Sequence, residues 1–307
     1  MPSAISSSMN KTQWALLGLL SLLWGCSFFL VEITLRELPP LTGVYLRVSL
    51  AAMTLWLYVA WRRFPLPRDP KLWRIFAVMA VLNNVLPFSA IVWGQVYITS
   101  SLAAILNATT PLFTVILAGA VLADEKITTR KVVGVICGFA SVTVMIGPSA
   151  LRGMGSDLWA QLAVLGAAAC YAAATVYDRR LGKLALPPAT AAAGQTTVAS
   201  LMLIPLVIWV DQPLSLSVPS ATTWVAVFAL AILSIAIAYL IYFRLLAEAG
   251  ATNLALVTFL IPVSAMLLGV VFLAEQLSLI QVAGMLLIAL GLTAIDGRLW
   301  QWFTRKH

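Results

Sequence analysis

The sequence predicts an all-α integral membrane protein of ten transmembrane helices, built as two inverted five-helix repeats with both termini in the cytoplasm. Three observations lead there. Hydrophobic residues fill 62% of the 307 positions and charged residues 10%, with a mean hydropathy of +0.99, far from the composition of a soluble domain. Ten apolar runs recur, each of roughly 20 residues and so able to cross a hydrocarbon core of about 30 Å. The runs of the first half return in the second at a nearly constant offset.

The runs cover residues 13–35, 40–61, 72–97, 99–122, 130–148, 158–179, 188–210, 221–246, 251–273 and 278–298. Short connections such as "RELPP", "RRFPLPRDPK" and "GPSALRGMGSD" carry the turn formers. The chain therefore divides into an N-terminal cytoplasmic segment 1–12, a first repeat 13–148, a periplasmic connector 149–157, a second repeat 158–298 and a cytoplasmic tail 299–307. The first run continues from Lys11 to about Val31, longer than the apolar core of a signal peptide, and is read as a retained helix.

Orientation follows from the basic residues, which stay on the cytoplasmic side. One set of alternate connections collects Lys11; Arg62, Arg63, Arg68, Lys71 and Arg74; Lys126, Arg130 and Lys131; Arg179, Arg180 and Lys183; Arg244; and Arg298, Arg305 and Lys306. The opposite set holds Arg36 and Arg152, and Arg47 lies inside the second run. Because this charge is spread between apolar blocks, with no basic patch interleaved with aromatics, no nucleic-acid partner is expected. Cys26, Cys137 and Cys170 all fall inside apolar runs and read as packed small side chains, with no disulfide or metal spacing.

An offset of 151 lays residues 73–101 on 224–252, pairing Trp73 with Trp224, Asn83 with Ser234, Phe88 with Tyr239 and Pro111 with Pro262. After a one-residue slip Glu125 meets Glu275 and Gly134 meets Gly284; earlier, Trp24 falls near Tyr171, Pro39 and Pro40 fall on Pro187 and Pro188, and Arg47 falls on Gln195. Five crossings per half is an odd number, so the halves enter the membrane in opposite senses. Such inverted repeats enclose a substrate site near the bilayer midplane in many transporters.

Polar residues inside the runs mark where that site would lie. Proline cannot donate to the carbonyl four residues back, so Pro87, Pro111 and Pro262 release the carbonyls of Asn83, Asn107 and Thr258. Groups of this kind are tolerated in a bilayer only against protein or a wet cavity. Asn83, Asn84, Asn107, Ser234 and Thr258 are accordingly expected to line a central cavity with Trp24, Ser27, Phe88, Tyr171 and Tyr239, with Asn84, Phe88 and Gln95 sharing one helix face. Each residue also has a plainer reading, an interhelical hydrogen bond or an ordinary packed aromatic. Arg47 is a candidate for gating or for meeting a substrate carboxylate, with snorkelling or a bond to backbone carbonyls as the alternative. Glu125 and Glu275 read as caps of the helices that follow them.

"LLWGCSFF" in the first run, the "LR" ending at Arg47 and the paired Pro, Glu and Gly blocks after Pro111 and Pro262 resemble the ten-helix EamA-type members of the drug/metabolite transporter superfamily. The likeness extends over essentially the whole chain and looks closest to bacterial exporters of aromatic and other neutral amino acids. It implies a multi-pass protein of the bacterial inner membrane that exports such solutes by alternating access, with a small-molecule substrate and the lipid bilayer as partners. A monomer is expected, with no cofactor. Four-helix multidrug relatives carry a carboxylate in mid-membrane of the first helix, whereas Glu32 here lies toward its outer end.

The only histidine is His307, and no nucleophile motif, carboxylate pair or phosphate loop stands at catalytic spacing. An enzyme is not expected. A phosphorylated substrate would call for several basic residues at membrane depth, where only Arg47 qualifies. The readings to be separated are an amino-acid exporter, a drug or cation extruder of the same superfamily, and a scaffold or accessory subunit that transports nothing.

Overall fold

A computed structural model describes residues 9–122, 125, 128–151, 155–178 and 186–296. The basic residues Lys126, Arg152, Arg179, Arg180, Lys183, Arg298, Arg305 and Lys306, used above for orientation, lie outside them, as does the tail 299–307. Among the described residues eight helices are long and apolar enough to span a membrane: α1 Lys11–Leu35, α2 Pro40–Trp61, α3 Pro70–Gly94, α4 Ser100–Val121, α5 Thr129–Gly147, α6 Ser156–Asp178, α7 Pro188–Asp211 and α8 Ala221–Gly250. Two shorter apolar helices follow, α9 Val257–Leu273 and α10 Leu279–Ile295.

Packing repeats across the halves. α1 lies against α9 as α4 lies against α6, while α3 rests on α6 and α7 as α8 rests on α1 and α2. α2 pairs with its own counterpart α7, and α5 with α10. Large side chains such as Leu57, Trp61, Val271 and Leu290 point outward, as a lipid-facing belt requires.

Lipid gives helices no hydrophobic drive toward one another, so close backbone approach and interhelical bonds hold the bundle. At the α5–α10 contact, a Cβ built on Gly134 would stand 2.5 Å from the Gly291 carbonyl oxygen, and one on Gly291 2.7 Å from the Gly134 carbonyl oxygen. Trp56 Nε1 donates to Thr197 Oγ1 at 2.7 Å between α2 and α7, and Ser264 Oγ donates to the Ser21 carbonyl at 2.9 Å between α9 and α1.

Four of the helices are not regular, α7 ending in a π turn at Val207–Asp211. α3 contains a π turn at Val81–Val85, where the Leu86 N–H reaches back five residues to the Val81 carbonyl. α8 contains a π turn at Ile232–Ile237, the position related to the first by the 151-residue offset, although no proline follows it there. α4 is interrupted between Asn107 and Thr110, and the carbonyl of Asn107 that Pro111 cannot engage accepts a 2.7 Å bond from Thr110 Oγ1.

Replacing Gly134 by valine is expected to force α5 and α10 apart and to destabilise the protein by about 1–3 kcal/mol. Thermal unfolding of the detergent-solubilised variant measures this, and an unchanged midpoint would show that the contact can relax.

Candidate functional site

The two halves enclose a cavity of about 560 Å³. It is walled by α1 (Trp24, Ser27, Phe28), α2 (Arg47), α3 (Met79, Asn83, Phe88, Gln95) and α4 (Asn107, Pro111, Thr114) of the first half. The second half supplies Tyr171, Thr175 and Asp178 from α6, Gln195 from α7, Ser234, Tyr239 and Tyr242 from α8 and Thr258 from α9. The walls reach the cytoplasmic ends of α6, α9 and α10 at Asp178, Val257 and Ile295, and on the opposite side extend to Gln95, the residue that caps the outer end of α3.

The π turns decide which side chains meet in it. An α-helix brings residues three or four apart onto one face, whereas a π turn, with its bonds five residues apart, takes five. On α3 the lining residues are Met79, Asn83, Phe88, Ile91 and Gln95, and the single step of five falls across the π turn. On α8 the π turn presents the adjacent pair Ser234 and Ile235 to the cavity ahead of Tyr239 and Tyr242. Asn83 Nδ2 donates to the Tyr239 hydroxyl at 3.1 Å, joining the irregular helices across the halves. Ser234 Oγ donates to the Leu23 carbonyl at 2.9 Å beside Trp24, whose ring centroid lies 5.7 Å from that of Tyr242.

The same geometry moves Asn84 elsewhere. Expected on the cavity face with Phe88, it is 0% exposed, absent from the cavity wall, and neither side-chain amide atom has a hydrogen-bond partner in the structure. Both asparagines are expected at the cavity, Asn84 on the Phe88 face by an α period; across the π turn Asn83 alone of the pair lines it. Pro87 and Pro262 also lie outside the wall, Pro262 against a small pocket of about 20 Å³ that it shares with Thr258. Gln95 lines the cavity on the Phe88 face as expected, and side chains that were not expected there, among them Thr110, Thr114, Thr175, Asp178, Gln195 and Tyr242, line it too. Their signal was helical spacing: Thr175 follows Tyr171 by four residues, Tyr242 follows Tyr239 by three and Thr114 follows Asn107 by seven.

Arg47 neither snorkels nor bonds a carbonyl. It is 6% exposed, and its guanidinium carbon stands 4.0 Å from the centre of the Phe88 ring, a cation–π contact. Tyr171 meets the same ring in a T-shaped pair at a centroid distance of 6.5 Å.

On the outer face, three carboxylates tie one half to the helix N-termini of the other. Glu275, after α9, accepts bonds from the backbone N–H groups of Ser100 and Ser101 at 2.9 and 3.1 Å, from Ser100 Oγ at 2.7 Å and from Ser101 Oγ. Asp211 accepts from the N–H and hydroxyl of Thr42 at the start of α2, at 2.6 and 2.8 Å. Glu37 accepts from the N–H and hydroxyl of Ser220 at the start of α8, at 2.6 and 2.7 Å. Helix N-termini favour negative charge, and hydrogen bonds to a carboxylate are the stronger kind. Glu275 therefore caps α4, not the following α10, whose first turn is capped by Ser278 and Gln281. Its approach depends on Ala274, which turns the chain at φ 54°, and on Gly269, where a Cβ would stand 2.5 Å from Glu275 Oε2. On the cytoplasmic side the repeat mate Glu125 pairs within its own half with Lys131 at 3.1 Å, and α1 and α3 are capped by their own neighbours Asn10 and Asp69.

Two inverted halves around a shared chamber are the plan of a membrane transporter, not of an enzyme. A model of the EamA-like transporter family matches residues 12–147 and again 158–295, and the chain belongs to that family. It is 30% identical over 294 residues to the uncharacterized transporter YvbV of Bacillus subtilis (strain 168), covering 94% of this chain and 93% of that protein. It is 26% identical over 296 residues to the "Probable amino-acid metabolite efflux pump" of Escherichia coli (strain K12), covering 92% and 94%. A solved crystal structure shares the fold with a TM-score of 0.66 at 21% identity, over 95% of this chain and 98% of that one.

Glu275→Gln weakens a charge-assisted cap, so the outer face should open more often. With Ser27→Cys as the only thiol, labelling by an impermeant maleimide from the outer side is expected to quicken about 10-fold; an unchanged rate would show that Glu275 seals nothing.

The side-chain and backbone bonds from Ser220 hold the Glu37 carboxyl below its ordinary value of 4.5. Its contribution is therefore complete at neutral pH and is lost as the outer pH falls through that lowered value. Labelling of the same reporter should rise with external acid relative to Glu37→Gln protein at the same pH; parallel profiles would remove Glu37 from the seal.

Proposed function

We propose that this transporter exports small neutral amino acids, chiefly hydrophobic or aromatic ones, from the cytoplasm across a bacterial inner membrane. The observation that carries the reading is the chamber itself. Its 560 Å³ falls within the roughly 300–1,000 Å³ of small-molecule sites, and aromatic walls with a few amide, hydroxyl and charged groups suit a solute with an apolar side chain and a polar end. The amino-acid metabolite named for the Escherichia coli relative agrees with this chemistry.

Alternating access is part of the proposal. The three carboxylate caps across the outer face and a cavity lined down to the cytoplasmic helix ends support reading this conformation as one that loads from the cytoplasm. Breaking the caps while one half rocks against the other would expose the same residues outward. Glu125, the repeat mate of Glu275, is then the group placed to close the cytoplasmic side.

Purified protein in liposomes preloaded with radiolabelled phenylalanine, threonine and methionine should release them faster than protein-free liposomes. Equal release would overturn the amino-acid reading. Trp24→Ala and Asn83→Leu are expected to slow release at least about 10-fold while the protein stays folded, since each removes a cavity contact and Asn83→Leu also breaks the bond to Tyr239. Wild-type flux from a well-expressed variant would take that residue out of the site.

A further inference from the structure

We propose that Arg47 is the receptor for a substrate carboxylate, so that the cavity selects solutes bearing one carboxylate over the corresponding amides and amines. The inference rests on the export reading and narrows it. Arg47 lies in the cavity wall and is 6% exposed, its Nε is buried without a hydrogen-bond partner, and among the described residues no carbonyl or carboxylate bonds the guanidinium. The Phe88 ring face stands against its charge, with Tyr171 and Tyr239 near enough to interact with it.

Withdrawing a guanidinium from water is costly unless an anion or several acceptors compensate, and an arginine that serves only the fold within a membrane is ordinarily bonded to them. Here the compensation is incomplete, and the fork of N–H groups matches a carboxylate through two parallel bonds.

The surrounding groups define the rest of the solute. Arg47 is the one cation in the described wall, so it neutralises a monoanion and leaves a dianionic phosphate half compensated. Amide oxygens of Gln95 and Asn107 lack partners in the same wall and are acceptors suited to an ammonium. The one acid there, Asp178, lies seven residues beyond Tyr171 on α6, about 10 Å toward the cytoplasm. It stands where an incoming ammonium would first meet the protein. A carboxylate at the deep end with an ammonium beside it and an apolar group against the aromatics is the outline of an amino acid.

The test uses full-length wild-type, Arg47→Gln and Arg47→Lys protein with four probes: L-phenylalanine, L-phenylalaninamide, 2-phenylethylamine and 3-phenylpropanoate. Ligand-induced shifts in thermal unfolding and equilibrium binding are read together. Wild type should bind L-phenylalanine about 30-fold or more tighter than the amide. Arg47→Gln should abolish that ratio by weakening the acid alone, with Arg47→Lys intermediate. Without ligand, Arg47→Gln should melt at or above wild type, because an uncompensated buried charge is gone; a purely structural arginine would lower the melting point and leave the acid-to-amide ratio intact, which overturns the proposal. Equal binding of phenylalanine and its amide overturns the receptor and leaves amino-acid export standing. Arg47-dependent binding of 3-phenylpropanoate without phenylalanine keeps the receptor and removes amino acids as substrates. No carboxylate preference with any probe overturns the receptor outright.

Discussion

Hydrocarbon offers no hydrogen bonds, so each polar group carried into it must be met by protein or by a water-filled space. The interior of this transporter is organised around that constraint. α3 and α8 each loosen by one π turn at mid-depth, and the loosened turns face each other through Asn83 and Tyr239. Around them stand the aromatic rings, the hydroxyls of α6 and the single guanidinium. Because a π turn spaces a face by five residues, it sets which asparagine of the adjacent pair reaches the chamber and which is sealed away.

Repeat symmetry governs the scaffold more strictly than it governs the seals. Helix contacts of one half reappear in the other, and the π turns of α3 and α8 are related by one offset. Of the three acids that close the outer face, only Glu275 has an acidic mate, Glu125; at the earlier offset of 148, which lays Pro39 on Pro187, Glu37 aligns with Ala185 and Asp211 with Arg63. The outer face thus holds two cross-half anion caps without acidic counterparts on the cytoplasmic face. On the proposed cycle that imbalance would favour the state closed outside, since each cap joins a carboxylate to otherwise unpaired helix N–H groups.

Much of this was legible in the sequence, and for identifiable reasons. Hydropathy and charge located the ten runs because spanning length and the placement of Lys and Arg are dictated by the bilayer alone. Trp24, Asn83, Phe88, Tyr171, Ser234 and Tyr239 could be named because polar and aromatic groups stand out against an apolar background and recur at a repeat offset. Asn84 was misplaced because a π turn leaves no local signature: α8 forms one at Ile232–Ile237 with no proline nearby. Glu275 was read as a local cap because its partners, Ser100 and Ser101, lie about 175 residues away and belong to the other half. Thr110 shows the reverse case, a hydroxyl beside Pro111 that meets the very carbonyl the proline leaves free.

The matched π turns also bear on how the molecule arose. A π turn amounts to one residue inserted into an α-helix, and here the insertion occupies equivalent places in both halves, so the 151-residue alignment crosses it without a gap. Such agreement follows directly if an ancestral five-helix chain already carried the extra residue and was then copied and fused. On that history the bulge is older than the two-domain protein, and the ancestor brought two antiparallel copies of it together as a dimer before a single gene encoded both.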